Sequence, residues 1–387
     1  MSVFLHEFKK LWNPKVLLAV LLISLFFYEF FLSFHIEYFP NGRPALDMQQ
    51  IYAEMIEDYG HEMDETEFKD FQKKLEAAKE EAGVYLQNND TAQELGVTSY
   101  EEYRKLYNEA ENGIDVHEKI DKLHAEIMFD KDIDVFWEIQ GFKTVQSHYN
   151  RRGQWNIKDT KYSSAQKKAE QIYKETDLQS ILPFQIYENY KNLIQYTGIL
   201  IVIVIFIVIG RLYLPDQKKG LLQLQYTSKM GRGLFWSKFS AGLMTTFLLT
   251  TMYLGVFFLL YSKNDTSMFW SSELSSFSFG WPLLSWYDFT FLEYIGVTVA
   301  IIYTLAFCTA VISAMISRMV SSYMVLVGLQ IPAAILLILL ISSFLLVYVF
   351  SLTNALWVYW VILVGLIAGS GGFLFFRSRR EQRVDIT

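Results

Sequence analysis

The sequence predicts an all-α polytopic membrane protein with six transmembrane helices, a largely helical extracytoplasmic domain and a re-entrant hairpin before the last span. Three observations carry that prediction. The 387-residue chain is 52% hydrophobic and 17% aromatic yet 19% charged, values that fit together only if charge is segregated along the chain. Several nearly charge-free runs are long enough to cross a hydrocarbon core of about 30 Å. Between the first two of them lies a single charge-dense block, residues 37–191, with 32 Asp and Glu against 19 Lys and Arg, a local net of −13 against −7 for the whole chain.

The elements follow in order. Residues 1–15 open with MSVFLHEFKKLW, where Phe4, Phe8 and Trp12 recur every four residues and Lys9 and Lys10 stand at the polar edge. Such spacing suits an amphipathic helix lying in the membrane surface. Span 1 covers 16–36. Lys9, Lys10 and Lys15 before VLLAVLLISLFF suggest a signal peptide, but FYEFFLSFHIEYF follows with no small-residue cleavage site. The run therefore reads as an uncleaved anchor. Its one charge is Glu29, and an intramembrane carboxylate is a candidate functional group. Glu29 either couples to transport or leans toward water or another helix. No relay of alternating Asp, Glu and His continues it through the other spans, which argues against a proton-driven transporter.

The block 37–191 reads as helices with one-sided apolar stripes. Met48, Ile51, Tyr52, Met55, Ile56 and Tyr59 form one stripe, and Phe68, Phe71, Leu75 and Leu86 form another, opened by an Asp64-x-x-Glu67 cap. A second cap-and-acid pair, Ser99 to Glu102, starts a helix that ends at Gly113. SSAQKKAEQIYKE and PFQIYENYKNLIQY complete the set, the last running straight into span 2. A block of this size can bury a core of its own. Its acidic faces are solvated, and the domain as a whole is also placed to meet a substrate or partner. Phe136, Trp137, Phe142, Tyr149, Trp155 and Tyr162 crowd one stretch, beside an Arg151–Arg152–Gly153 loop. They are either core packing with an exposed turn or a face for peptide or lipid.

Span 2 is placed at 192–213, an inner loop at 214–238 and span 3 at 239–262. The outer loop 263–293 interleaves Trp and Phe with Ser, as an interfacial segment does. Span 4 covers 294–317. From 319 to 376 there are 58 residues without a charge. As helix that run is about 87 Å, too long for two plain crossings and too short for three with loops. It divides into span 5 (319–341), a re-entrant segment (342–354) and span 6 (355–376), with bends expected at Pro332 and at the SLTN of 351–354. The tail is 377–387. Non-helical backbone at that depth needs protein or water around it.

Orientation follows from Lys and Arg near the span ends. With the N-terminus inside, the inner segments hold 14 bases, among them Arg211, Lys218, Lys219, Lys229, Arg232, Lys238, Arg318 and Arg377, against the acids Glu7, Asp216, Glu381 and Asp385. The outer loop has Lys263 alone against Asp265, Glu273, Asp288 and Glu293. Both termini are therefore expected in the cytoplasm of a cell, a bacterial one, with the chain multi-pass in the plasma membrane.

Catalytic signatures are missing. The sequence has no GxxxxGK[ST] loop, HExxH, CxxC or GxSxG. His117 and His124 are two turns apart on a helix, too far for easy chelation, and read as ordinary surface histidines. The one cysteine, Cys308, lies in an apolar run, so no intramolecular disulfide is possible.

The layout and one local stretch resemble the permease subunit of an ABC-2 type transporter in the ABCA-like arrangement, with a large outer domain between spans 1 and 2. Asp216 and Gly220, followed by LLQLQYTSKMGRGLFWSKFSAGL, are similar to the family's acidic-to-glycine approach, Leu-rich turn, Ser-Lys-x-x-Arg region and lysine opening the next span. The resemblance implies that 214–238 carries a coupling helix docking on a separate ATP-binding cassette ATPase, with 1–15 as its companion elbow helix. On this sequence the docking residues would be Asp216, Gly220, Leu221, Leu222, Leu224, Tyr226, Ser228, Lys229 and Arg232. The ridge Leu221–Tyr226 is apolar, and Lys229 and Arg232 offer charge. The same cations also suit a plain anchor to the membrane surface.

Two functions of different class follow. The first is an exporter permease, a homodimer or a heterodimer with a related permease, moving a hydrophobic or amphipathic molecule or a membrane-active peptide. It would bind no cofactor itself, with ATP and magnesium in the partner subunit, and would contact membrane lipid but no nucleic acid. The alternative is a non-transporting sensor or scaffold whose acidic outer domain binds a ligand or partner. An intramembrane enzyme lacks any catalytic constellation.

Overall fold

A computed structural model describes residues 3–111, 118–151, 162–175, 182–221, 231, 233–277 and 284–383. Among these residues the chain is helical, with two isolated bridges and no strand. Six of the described helices are long and apolar enough to cross a membrane: Pro14–Glu37, Phe184–Lys218, Gly233–Asn264, Phe291–Met319, Tyr323–Leu345 and Leu356–Glu381, spans 1 to 6 in order. The protein is a multi-pass, all-α membrane protein.

Span 2 is the axle of the bundle. Of its most apolar window 72% is buried by the protein itself, against 17%, 22% and 11% for spans 1, 5 and 6. It packs on spans 1, 3, 4 and 5, and span 4 packs in turn on spans 3, 5 and 6. In hydrocarbon, apolar contact alone gives helices little reason to associate, so close packing and interhelical hydrogen bonds decide. At Gly198 of span 2 an added Cβ would stand 2.5 Å from Leu346 Cδ1, so any larger residue there would have to displace that side chain. Gln330, deep in span 5, donates to Ser313 Oγ of span 4 at 2.9 Å and to the Phe206 carbonyl of span 2 at 3.2 Å. The outward faces are apolar and uncovered: Leu18, Leu22 and Leu25 on span 1, Ile335 and Leu339 on span 5, Val361 and Val364 on span 6. So much contiguous apolar surface is unusual on a water-soluble monomer and suits lipid.

The long charge-free run divides into two long helices, Tyr323–Leu345 and Leu356–Glu381, around an irregular stretch. The helix Tyr323–Leu340 passes through Pro332, and a π-helical turn, Ile341–Leu345, prolongs it. A proline removes one ladder bond, a loss that neighbouring helices offset inside a membrane bundle. The break falls at 346–355, an irregular connection that includes the SLTN of 351–354. It pairs with the outer loop: Trp286 N donates to the Phe350 carbonyl at 2.9 Å and Leu352 N to that of Leu284 at 2.8 Å.

The block after span 1 forms the expected helices. Ala45–Tyr59 buries Ile51, Tyr52 and Met55, and Glu65–Gln87 buries Phe68, Phe71, Leu75 and Leu86. Asp64 and Glu67 close a reciprocal capping box, with Asp64 Oδ1 accepting from Glu67 N at 2.8 Å and Glu67 Oε2 from Asp64 N at 2.8 Å. Ser99 accepts from Glu102 N at 3.3 Å at the start of Tyr100–Glu111, while the Glu102 carboxylate reaches Thr98 N at 2.9 Å. Asp134–Arg151 lies between the first two helices, burying Phe136, Trp137, Phe142 and Tyr149, so these aromatics are core. Gly113, Arg152, Gly153 and Trp155 lie outside the described residues. His124 is half-buried: its ring stacks on Tyr107 at 3.9 Å, and Nδ1 meets the Tyr103 hydroxyl at 2.5 Å. His117 lies outside the described residues.

At this end polar contacts tie the spans to each other and the domain to the outer loop, and one of them is an ion pair. Asn264, at the end of span 3, donates to Asn189 Oδ1 of span 2 at 2.7 Å and to the His35 carbonyl of span 1 at 3.0 Å. His61 meets Ser271 and Ser272 of the outer loop at 2.8 Å each, and Lys168 meets both Asp288 oxygens at 3.0 Å.

Candidate functional site

At the opposite end of the bundle, the basic end, buried charges join almost every element that arrives there. The long helix of span 2 ends at Ile209 with Gly210 as its cap, and a short helix of the same span, Leu214–Lys218, starts with Pro215 in its first turn, where the missing N–H costs nothing. Gly220, at φ +65°, closes that helix, with Leu221 N returning to the Asp216 carbonyl at 3.0 Å. Positive φ there favours glycine. Asp216 is buried and turned inward, paired closely with Lys238 near the start of span 3.

Lys238 is the hub of one half. It is 2% exposed, and its Nζ also lies 3.8 Å from Glu7 Oε2 on the N-terminal helix Val3–Leu11. Glu7 in turn accepts from Lys10 at 2.8 Å. The second half joins spans 4 and 6. Arg318, 5% exposed at the end of span 4, holds Glu381 with a fork, Nε to Oε1 at 2.9 Å and Nη2 to Oε2 at 2.6 Å. Arg377, one turn before Glu381, meets the same carboxylate at 3.0 Å. Paired forks of this kind are the strongest charged hydrogen bonds a protein makes.

Tyr213 stands between the halves. Lys238 Nζ is 6.0 Å and Arg318 Cζ 5.6 Å from its ring centroid, within cation–π range. Its hydroxyl donates to the Phe235 carbonyl at 2.9 Å, and the backbone N–H groups of Tyr213 and Leu214 both donate to Ser317 Oγ at 3.1 Å. The Gln217 side chain donates to the Arg318 carbonyl. The start of the inner loop is thus held by the N-terminal helix and by spans 3 and 4, and through Glu381 by span 6.

The sequence-derived residues fall as follows. Asp216 and Gly220 are in this assembly, with the Asp216 carboxylate facing the protein interior, and Leu221 is half-buried beside it. Leu222, Leu224, Tyr226, Ser228, Lys229 and Arg232 lie outside the described residues. Phe4, Phe8 and Trp12 form a half-buried ridge, Phe4 stacked on Phe8 at 6.3 Å and Phe8 against Trp12 at 5.9 Å. Glu7 and Leu11 occupy the buried side of the same helix. Glu29 is far from this cluster, on the π-helical turn Tyr28–Leu32 near the other end of span 1, with its side chain exposed. Glu7, Arg318 and Glu381 entered the sequence reading only as counts for orientation, and Lys238 also as the lysine opening span 3. Each stands close to the end of an apolar run, the one signal that marks them.

The cluster offers no nucleophile with a base, and no group of His, Cys, Asp and Glu suited to a metal occurs among the described residues. What it does is join 214–221, directly or through a shared partner, to four other elements: the N-terminal helix and spans 3, 4 and 6. At the domain end, a cleft of ≈ 520 Å³ opens between span 1 and span 2, lined by Phe34, Tyr38, Arg43, Glu188 and Asn192 among others. Phe30, Phe34 and Tyr38 stand exposed on the same stretch of span 1.

Compared with known proteins, the chain matches no family model, no curated protein and no solved structure at a significant level.

Proposed function

We propose that this chain is the permease subunit of an ABC-2 type exporter, driven by a separate ATPase that docks on the inner loop 214–238. The observation that carries the reading is the buried ion network at Lys238 and Arg318. It fastens the start of that loop to the N-terminal helix and to spans 3, 4 and 6. A loop that only anchored the chain to a membrane surface would gain nothing from being bolted to four elements, since solvated cations suffice for that. The missing nucleotide-binding loop makes an imported motor necessary. The aromatic and charged lining of the cleft beside span 1 suits a hydrophobic or amphipathic cargo, including a membrane-active peptide. The basic end then faces the cytoplasm of a bacterial cell, and two such subunits, identical or related, meet two ATPases.

Co-purification with the ATPase encoded beside this chain tests the reading. Charge reversal at Lys229 and Arg232 is expected to break the complex, and candidate cargo is expected to stimulate ATP hydrolysis by the intact one. If no ATPase co-purifies, or if the complex survives disruption of the whole 221–232 segment, the coupling role is wrong.

A further inference from the structure

Beside the ion network the chain has a cleft of ≈ 320 Å³, between the N-terminal helix and the turn that follows the long helix of span 2. Its rim carries Lys10, Asn13, Arg211 and Lys219. Two carboxylates also line it, but both are already occupied: Glu7 by Lys10 and Lys238, Asp216 by Lys238. Arg211 is half-buried, and among the described residues neither it nor Lys219 meets a carboxylate within ion-pair distance. A guanidinium held out of full water beside an open cleft favours an anion, and its planar fork fits phosphate oxygens in pairs.

The level of the cleft narrows the choice of anion. Arg211 follows the last turn of the long helix of span 2, which ends at Ile209, and Asn13 caps the first turn of span 1. Both mark where hydrocarbon gives way to headgroups. Leu11 and Leu212 form the inner wall of the cleft, and span 1 leaves Leu18 and Leu21 uncovered one to two turns deeper. A ligand with a phosphate at Arg211 and apolar chains along span 1 would satisfy both surfaces.

We propose that this cleft binds the phosphate headgroup of an anionic phospholipid from the leaflet at the basic end, with Arg211 as the principal contact and Lys219 beside it. The bound lipid packs the N-terminal helix against the start of the inner loop. The proposal stands whether or not the chain is a permease, because it draws only on the cleft and on Arg211 and Lys219, which meet no carboxylate among the described residues.

The test uses the full chain in nanodiscs of equal phosphatidylglycerol and phosphatidylcholine, followed by native mass spectrometry of the lipid retained. Wild type is expected to retain phosphatidylglycerol preferentially. Arg211→Gln and Lys219→Gln are each expected to lower that preference about fivefold, the effect of one cation near an anionic surface. Arg379→Gln, which removes a tail cation placed over Phe375 and away from the cleft, is expected to change nothing. Equal losses in all three variants would reduce the effect to general charge attraction and overturn the site, as would a wild-type preference in Arg211→Gln and Lys219→Gln. Should Arg211→Gln fail to give monodisperse protein, Lys219→Gln and Arg211→Lys decide, the latter expected to retain charge attraction but lose part of the preference. Inorganic phosphate competing as well as short-chain phosphatidylglycerol would make this a free-phosphate site and overturn the lipid assignment.

Discussion

The two ends of the helix bundle are joined by different chemistry. At the domain end the fully buried ties between spans are neutral: Tyr187 to Tyr294 at 3.0 Å, Tyr190 to Thr298 at 2.6 Å, and Asn264 to Asn189 at 2.7 Å, while the ion pairs there, Lys168 with Asp288 and Lys191 with Glu188, leave their carboxylates open to water. At the basic end they are full charges, Lys238 with Glu7 and Asp216 and Arg318 with Glu381. A neutral hydrogen bond contributes about 1 kcal/mol net and its loss is local. A buried ion pair contributes little over an apolar replacement, yet removing one partner costs about 3–5 kcal/mol because the other charge is left stranded. The neutral end is therefore tolerant of single changes and the charged end is not, and the elements at the charged end are bound to move together.

Variants that strand a charge break this contrast most sharply. Glu381→Gln leaves Arg318 and Arg377 without their carboxylate and is expected to lower stability by about 3–5 kcal/mol, read as a large drop in thermal unfolding temperature in detergent. The double change Arg318→Met with Glu381→Met removes both charges and is expected to recover most of that loss. If the single change is as mild as a neutral one, the charged end is not held as described. Lys238→Met comes next, at roughly 2–3 kcal/mol, since Glu7 keeps Lys10 while Asp216 loses its partner. At the neutral end, Tyr190→Phe removes one hydroxyl bond and is expected to cost about 1 kcal/mol or less. A loss matching that of Glu381→Gln would erase the distinction between the ends.

The effect in the outer domain appears only in acid. Burial, aided by Arg151, pushes His148 down from the ordinary 6.5 to about 4, with Nδ1 against the Tyr52 hydroxyl. Between those values the unfolded chain binds a proton that the folded domain refuses, so stability falls as pH drops from 6.5 toward 4. Burial raises Asp47 and Glu138, which slopes the opposite way at the acid end of that range. Comparing wild type with His148→Gln isolates the histidine: the variant is expected to lose less unfolding temperature between pH 7 and pH 5. Parallel profiles would show that His148 does not titrate this way.

How much of this was legible in the sequence depended on how local the cause was. The capping box at Asp64 and Glu67 needs four residues in a row, and it stands as read. The apolar stripes through Ile51, Phe71 and Leu75 buried the faces their spacing implied, because a helix face is a local property. Pro332 leaves the helix continuous, because packing in a bundle offsets one lost bond. The pairing of 346–355 with the outer loop spans about sixty residues and leaves no periodic trace.

The candidate site shows the same boundary. Glu7–Lys10 and Arg377–Glu381 were readable as neighbours on one helix, at three- and four-residue spacing. Lys238 with Asp216 and Arg318 with Glu381 were not, since those partners are brought together only by the order in which the spans return.

By itself the sequence determined that this is a six-span helical membrane protein with an acidic domain after the first span, because hydrophobic length and charge segregation answer directly to the solvent each stretch meets. Only the tertiary structure decided that span 2 is the axle, that the chain breaks at 346–355, and that cations counted for orientation are bound into one network. Those outcomes depend on which surfaces meet, and partner choice between distant helices is a property of the packed bundle.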